Sequence, residues 1–161
     1  MTQPNPPPVV AIFNSMDEIL DMVRLAFEAQ GFVTATARLA DIQSGALDLI
    51  AFVKEHMPVA LVYDIPRPYE ANCNVLRLLR ETASLQHLVW VVTTTNKEAL
   101  ERAVPTTNAI EIVLGKPYTV DKVIDAVRKG LRADGHGPKA WSITSCNGTR
   151  PNNPTADRRS A

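Results

Sequence analysis

The sequence predicts an α/β protein built on a doubly wound, five-stranded parallel sheet. Three observations carry that expectation. Short, apolar, β-prone runs recur at residues 9–13, 32–37, 59–64, 88–93 and 110–114. The segments between them repeat apolar residues at helical spacing. The third run, Val59-Ala60-Leu61-Val62-Tyr63-Asp64, is almost continuously apolar. That is the mark of a strand buried on both faces, as in a parallel sheet covered by helices. Strand and helix alternating about five times, with right-handed crossovers, put helices on both sides of the sheet.

The first strand, 9–13, ends at Asn14-Ser15. Ser15-Met16-Asp17-Glu18 fits the S-x-x-E capping box, so a helix is expected to start there. Ile19, Leu20, Val23 and Phe27 share one face of it, and Gly31 stops it as a C′ residue would. After the second strand, Ser44 or Asp41 caps a second helix reaching about Lys54, with Leu47, Leu49, Ile50 and Val53 as its stripe. Pro58 precedes the central strand, and Ile65-Pro66-Arg67-Pro68 follows it as a turn. Asn72 or Asn74 opens a third helix whose Val75, Leu76, Leu78 and Leu79 face the sheet. Asn96 caps a short fourth helix over 97–104, ahead of Pro105. Gly115-Lys116-Pro117 leaves the fifth strand. Thr119 then caps a last helix carrying Val120, Val123, Ile124, Val127 and Leu131.

With 161 residues, 45% of them hydrophobic, the chain suits one domain with a proper core. Four of the 12 prolines fall in the first eight residues, and three more follow Ala133. The expected division is a disordered tail at 1–8, a folded domain at 9–133 and a flexible tail at 134–161. Lys+Arg and Asp+Glu both total 17, so charge points neither to nucleic acid nor to an anionic membrane. Cys73 and Cys146 lie far apart without metal-ligand spacing and read as reduced thiols of a cytoplasmic protein. No apolar run is long enough for a bilayer, and the N-terminus has no signal-peptide pattern. His56, His87 and His136 are isolated, and Trp90 and Trp141 form no stacking platform. No glycine-rich phosphate loop follows a strand, which argues against nucleotides.

Chemistry is expected where strands leave the sheet, the edge at which ligands collect in open α/β folds. Asp64 ends the third strand, Thr93 the fourth, and Lys116 follows the fifth. A carboxylate at such an edge can act as a nucleophile toward phosphorus. A hydroxyl and an ammonium beside it can hold the phosphoryl oxygens. Asp before a proline-containing turn is also an ordinary turn former. The register of Thr93 and Lys116-Pro117 favours the chemical reading.

Over about residues 9–131 the chain resembles the receiver domain of two-component response regulators. The resemblance rests on the apolar strand ending in Asp64, Pro68 four residues later, Thr93, Lys116-Pro117, Gly31 and the spacing of elements. It implies a flavodoxin-like sheet with its switch point between the first and third strands. It implies Asp64 as phosphoacceptor from a sensor histidine kinase or phosphotransfer protein, Thr93 and Lys116 as phosphoryl-binding switch residues, and a cis Lys116–Pro117 peptide. Receivers usually carry two adjacent acids after the first strand that hold Mg²⁺; here those positions are Asn14 and Ser15. Mg²⁺ needs oxygen ligands and usually carboxylates, so no cofactor is expected beyond weak Mg²⁺ binding at Asp64. Asp17 and Glu18 suit the first turn of a helix better than a metal, and Ser15 reads as a cap in preference to a ligand. Val113 replaces a frequent aromatic residue. Asn72 replaces a loop glycine and tolerates the left-handed conformation. The backbone carbonyl that serves the metal in the family is that of Pro66.

The expected function is that of a stand-alone, atypical receiver domain in phosphorelay signalling. It is not an enzyme, and it acts by binding an output protein whose identity the sequence does not give. The alternatives are a phosphorylation-independent interaction module with the same fold, or a small α/β hydrolase using Asp64. The hydrolase would need a second acid or base near Asp64.

Overall fold

A computed structural model describes residues 5–94, 98, 108–109, 112–114, 119–133 and 144–145. Its centre is a parallel sheet made from β1 (Val9–Asn14), β2 (Val33–Arg38), β3 (Ala60–Ile65), β4 (Val89–Thr94) and β6 (Ile112–Leu114). The spatial order is β2-β1-β3-β4-β6, so the chain reverses its winding direction between β1 and β3. That is the expected switch point. The two-residue strands β5 (Asn108–Ala109) and β7 (Thr144–Ser145) form a separate antiparallel pair.

All six residues of β3 and all six of β4 are buried. Their side chains therefore alternate between two cores. On one face Ala11, Phe13, Leu61, Tyr63, Trp90 and Val92 pack against α3 (Leu49–His56) and α4 (Tyr69–Glu81). On the other, Ile12, Val62, Val89 and Val91 meet Leu20, Val23 and Phe27 of α1 (Asp17–Ala29) and Val123, Ile124 and Val127 of α5 (Val120–Ala133). Each large apolar side chain fully buried in this way contributes about 1.5–3 kcal/mol. The indole of Trp90 keeps its polar atom satisfied by donating to the Leu85 carbonyl at 3.2 Å.

Helix α1 ends as the sequence indicates. Gly31 takes φ 86. Its N–H donates to Glu28 O at 3.1 Å and that of Phe32 to Phe27 O at 3.2 Å, which is the Schellman pairing. Phe32 then meets Phe27 edge to face, ring centroids 5.3 Å apart.

Several boundaries differ from expectation. The segment after β2 is not one helix but two, α2 (Leu39–Gln43) and α3. Gly45, at φ 77, breaks it, and the cap is neither Ser44 nor Asp41 but Asp48, which accepts from Ile50 N and Ala51 N at 2.9 and 3.2 Å. Helix α4 begins at Tyr69, ahead of Asn72, because Pro68 at its N-cap has no N–H to lose at a helix start. Leu78 turns outward, 61% exposed, since it lies about 200° round the helix from buried Leu76. The Arg67–Pro68 peptide is cis. The fourth helix expected over 97–104 lies outside the described residues, residue 98 excepted, as does the Lys116–Pro117 peptide.

Helix α3 closes on Met57 in the left-handed conformation, φ 46. A side-chain-bearing residue is held there at a cost of about 1–2 kcal/mol, and this one is also 76% exposed. Met57→Asn is expected to raise stability by about 1 kcal/mol in urea unfolding, because asparagine tolerates that backbone. Gly130 of α5 lies against the sheet, and a Cβ there would collide with Cγ1 of buried Val89. Gly130→Ala is expected to lower stability by about 1–3 kcal/mol from overpacking, although alanine is the better helix former. The same unfolding measurement decides it.

Candidate functional site

Asp64 and Thr93 sit opposite one another in the β3–β4 register, at the edge where both strands leave the sheet. By alternation from Val62 and Val91, both side chains lie on the α1–α5 face. Both are buried, and Thr93 Oγ1 donates to Asp64 Oδ1 at 3.0 Å. From the end of β1, Ser15 Oγ approaches the other carboxylate oxygen, Oδ2, at 3.5 Å. Hydroxyls from two neighbouring strand ends thus converge on one acid. Lys116 lies outside the described residues. β6 pairs in parallel with β4, Leu114 level with Thr94, so β6 ends at this same edge.

Ser15 is not the helix cap that the S-x-x-E pattern predicts. Met16 occupies the N-cap of α1 and makes no side-chain cap. Asn14 supplies the local contact, its Oδ1 accepting Met16 N at 3.0 Å, which leaves the Ser15 hydroxyl turned to Asp64. Asp17 starts α1 and pairs with Arg38 at 2.8 Å. That surface pair is more than half exposed and contributes little.

Asn72 has a role that sequence reasoning missed. It is neither a helix opener nor left-handed: it lies in the first turn of α4, 8% exposed. Its Nδ2 donates to Pro66 O at 3.1 Å and Pro68 O at 2.9 Å, while Gln43 Nε2 donates to its Oδ1 at 2.7 Å. The available signal was donor shortage. A turn with two prolines lacks two N–H groups, so its carbonyls need a side-chain donor nearby.

These contacts test the Mg²⁺ site that the resemblance implies. Of the positions concerned, Asp64 alone bears a carboxylate. The Asn14 oxygen already accepts the Met16 amide, and the Pro66 carbonyl already accepts Asn72. Among the described residues no group of three His, Cys, Asp or Glu side chains is placed to hold a metal. The donor set does not fit Mg²⁺, which takes octahedral oxygen ligands, carboxylates among them.

Tyr63 precedes Asp64 on the opposite face, between the rings of Phe13 and Trp90. Burial, and secondarily the Asp64 charge, push its phenol up to about 12. The folded state therefore holds this proton above pH 10, where the unfolded chain releases it. The resulting stability is fully present below pH 10 and is lost as pH rises toward 12. Across that window wild type is expected to lose about 2–3 kcal/mol more than Tyr63→Phe, read from urea unfolding at pH 8 and at stepped alkaline pH.

No protein-family model matches the sequence, and no curated protein matches it. Solved structures do. The signal receiver domain of a signal transduction histidine kinase from Syntrophus aciditrophicus superposes with TM-score 0.62 at 15% identity, over 83% of this chain and 96% of that one. A sensor protein from Polaromonas sp. JS666 gives TM-score 0.60 at 20% identity, over 80% and 98%. A response regulator receiver protein from Sinorhizobium medicae WSM419 gives 0.58 at 17%, again over 80% and 98%. The strand order, the switch point and these superpositions together establish that the chain has the fold of response-regulator receiver domains.

Proposed function

We propose that the chain is a receiver-type signalling module that works by binding other proteins, with Asp64 as its phosphoacceptor position. The observation that carries this reading is the buried hydrogen bond from Thr93 to Asp64, which couples the carboxylate to the next strand end. In the proposed step an Asp64 oxygen attacks the phosphorus of a phosphohistidine on a sensor kinase or phosphotransfer protein. A P–O bond forms as the P–N bond breaks, and the imidazole leaves with the electron pair and is protonated. Thr93 then donates to a phosphoryl oxygen instead of to Asp64, and Lys116 balances the added charge. The new charge shifts the end of β4 between two packings that an output protein distinguishes. No enzymatic turnover is part of this role. Among the described residues no helix is long and apolar enough to cross a membrane; the proposed site of action is the cytoplasm.

A second reading has its own support, the engaged Asn14 and Pro66 oxygens. In it the module binds its partner without phosphorylation, and Asp64 serves as a cross-link between strand ends.

Incubation with acetyl phosphate and Mg²⁺, followed by intact-mass analysis, separates the two. The first reading expects a mass gain of one phosphoryl group in wild type and none in Asp64→Asn. Absence of any gain, under conditions that label an ordinary receiver, removes the phosphoacceptor role. The second reading expects Mn²⁺ to leave the amide signals around Asp64 unbroadened in wild type and to broaden them in the Asn14→Asp, Ser15→Asp double variant. Broadening in wild type at micromolar Mn²⁺ would sink it.

A further inference from the structure

At the end of the sheet opposite Asp64, where the strands enter, an open groove of about 770 Å³ lies between α3, the start of β3, the entry to β4 and α5. Val59, at its wall, immediately precedes β3 and is five residues from Asp64, or about 16 Å of extended chain. Its lining is mainly apolar: Val53, Met57, Val59 and Leu131. Two of these are unusually open, Met57 at 76% and Val59 at 37%. Among the described residues Met57 is in addition the non-glycine residue held at positive φ. The left-handed backbone serves to close α3, but the helix end does not need a long apolar side chain there, and methionine is a favoured contact on surfaces that accept apolar partners.

The one formally charged side chain among the described lining residues is a cation, Lys54. Among the described residues that line the groove, Lys54 and His87 are exposed and none is an acid. Lys54 falls in the last turn of α3, where a cation is favoured by the partial negative charge of the helix end. This chain's own segment after Ala133 is a poor complement, since it carries four basic and two acidic side chains. We infer that the groove is a docking surface for a partner-protein segment with an apolar face and acidic flanks. The apolar residues would fill the groove beside Met57, and the carboxylates would face Lys54 and His87. This site is separate from Asp64 and does not rest on its phosphorylation.

Fluorescence anisotropy with the full chain tests the inference. The probes are a short fluorescein-labelled peptide of leucines and glutamates and its counterpart with lysines for the glutamates. The glutamate peptide is expected to bind roughly tenfold tighter than the lysine peptide. Lys54→Glu and Met57→Asn should each weaken it by a similar factor, and Asp64→Asn should leave it unchanged. Because Met57→Asn is expected to stabilise the fold, its loss of binding cannot be unfolding. Equal affinity for the two peptides, no binding of either, or indifference to Met57→Asn overturns the proposal. So does self-association in sedimentation that Met57→Asn abolishes, which assigns the groove to a second copy. Tighter peptide binding by Trp141→Ala assigns it to the chain's own C-terminal segment and overturns the proposal as well.

Discussion

A strand buried on both faces has nowhere to place a polar side chain except at its ends, and β3 and β4 are both of this kind. Their backbone groups pair within the sheet, and their side chains are divided between two apolar layers. Asp64 and Thr93 sit at the last positions where such a pair can still carry polarity. Even there both are almost fully buried, so the carboxylate must be met by hydrogen bonds or lose its charge. Thr93 and Ser15 meet it. The rest of the site follows from that constraint: the edge is polar because the strand ends there, and it stays ordered because the strands beneath are closely packed.

The same packing explains why the loop after β3 is held so firmly. A turn rich in proline has more acceptors than donors, and Asn72 restores the balance from the first turn of α4 while Gln43 holds Asn72 in turn. The Asp64 edge is therefore braced through α4 as well as through β4. One consequence is chemical. Oxygens that a receiver of the usual kind offers to a cation are here turned to protein amides. The receiver fold and the receiver's metal chemistry are thus separable, and this chain keeps the first with little of the ligand set for the second.

The left-handed Met57 and the Asp64 edge sit at opposite ends of the sheet. Around Asp64 the described polar side chains are engaged in hydrogen bonds. Around Met57 the backbone is strained and an apolar side chain is exposed. On the proposed reading, a docking surface is thereby kept away from the edge where a phosphoryl group would arrive.

Much of the fold was legible from residues alone, because burial on both faces imposes a near-continuous apolar run on β3 and β4 and a helical period imposes a stripe on α1 and α5. Gly31 marked the end of α1 because a left-handed C′ position excludes most other residues. The parallel register that aligns Asp64 with Thr93 was also legible, since strand ends in a doubly wound sheet share one edge. What the tertiary structure decided were the short-range choices between near-equal partners. Ser15 could cap α1 or face Asp64, and proximity to a buried carboxylate settled it. Asn72 could open a helix, adopt a left-handed turn or donate to two carbonyls, and the donor-poor turn settled that. Asp48 displaced Ser44 and Asp41 as a cap because Gly45 broke the helix between them. Periodicity is a property of the chain and can be read along it. The partner of a hydroxyl or an amide depends on which atoms the fold brings within about 3 Å, and that is known only once the strands are side by side.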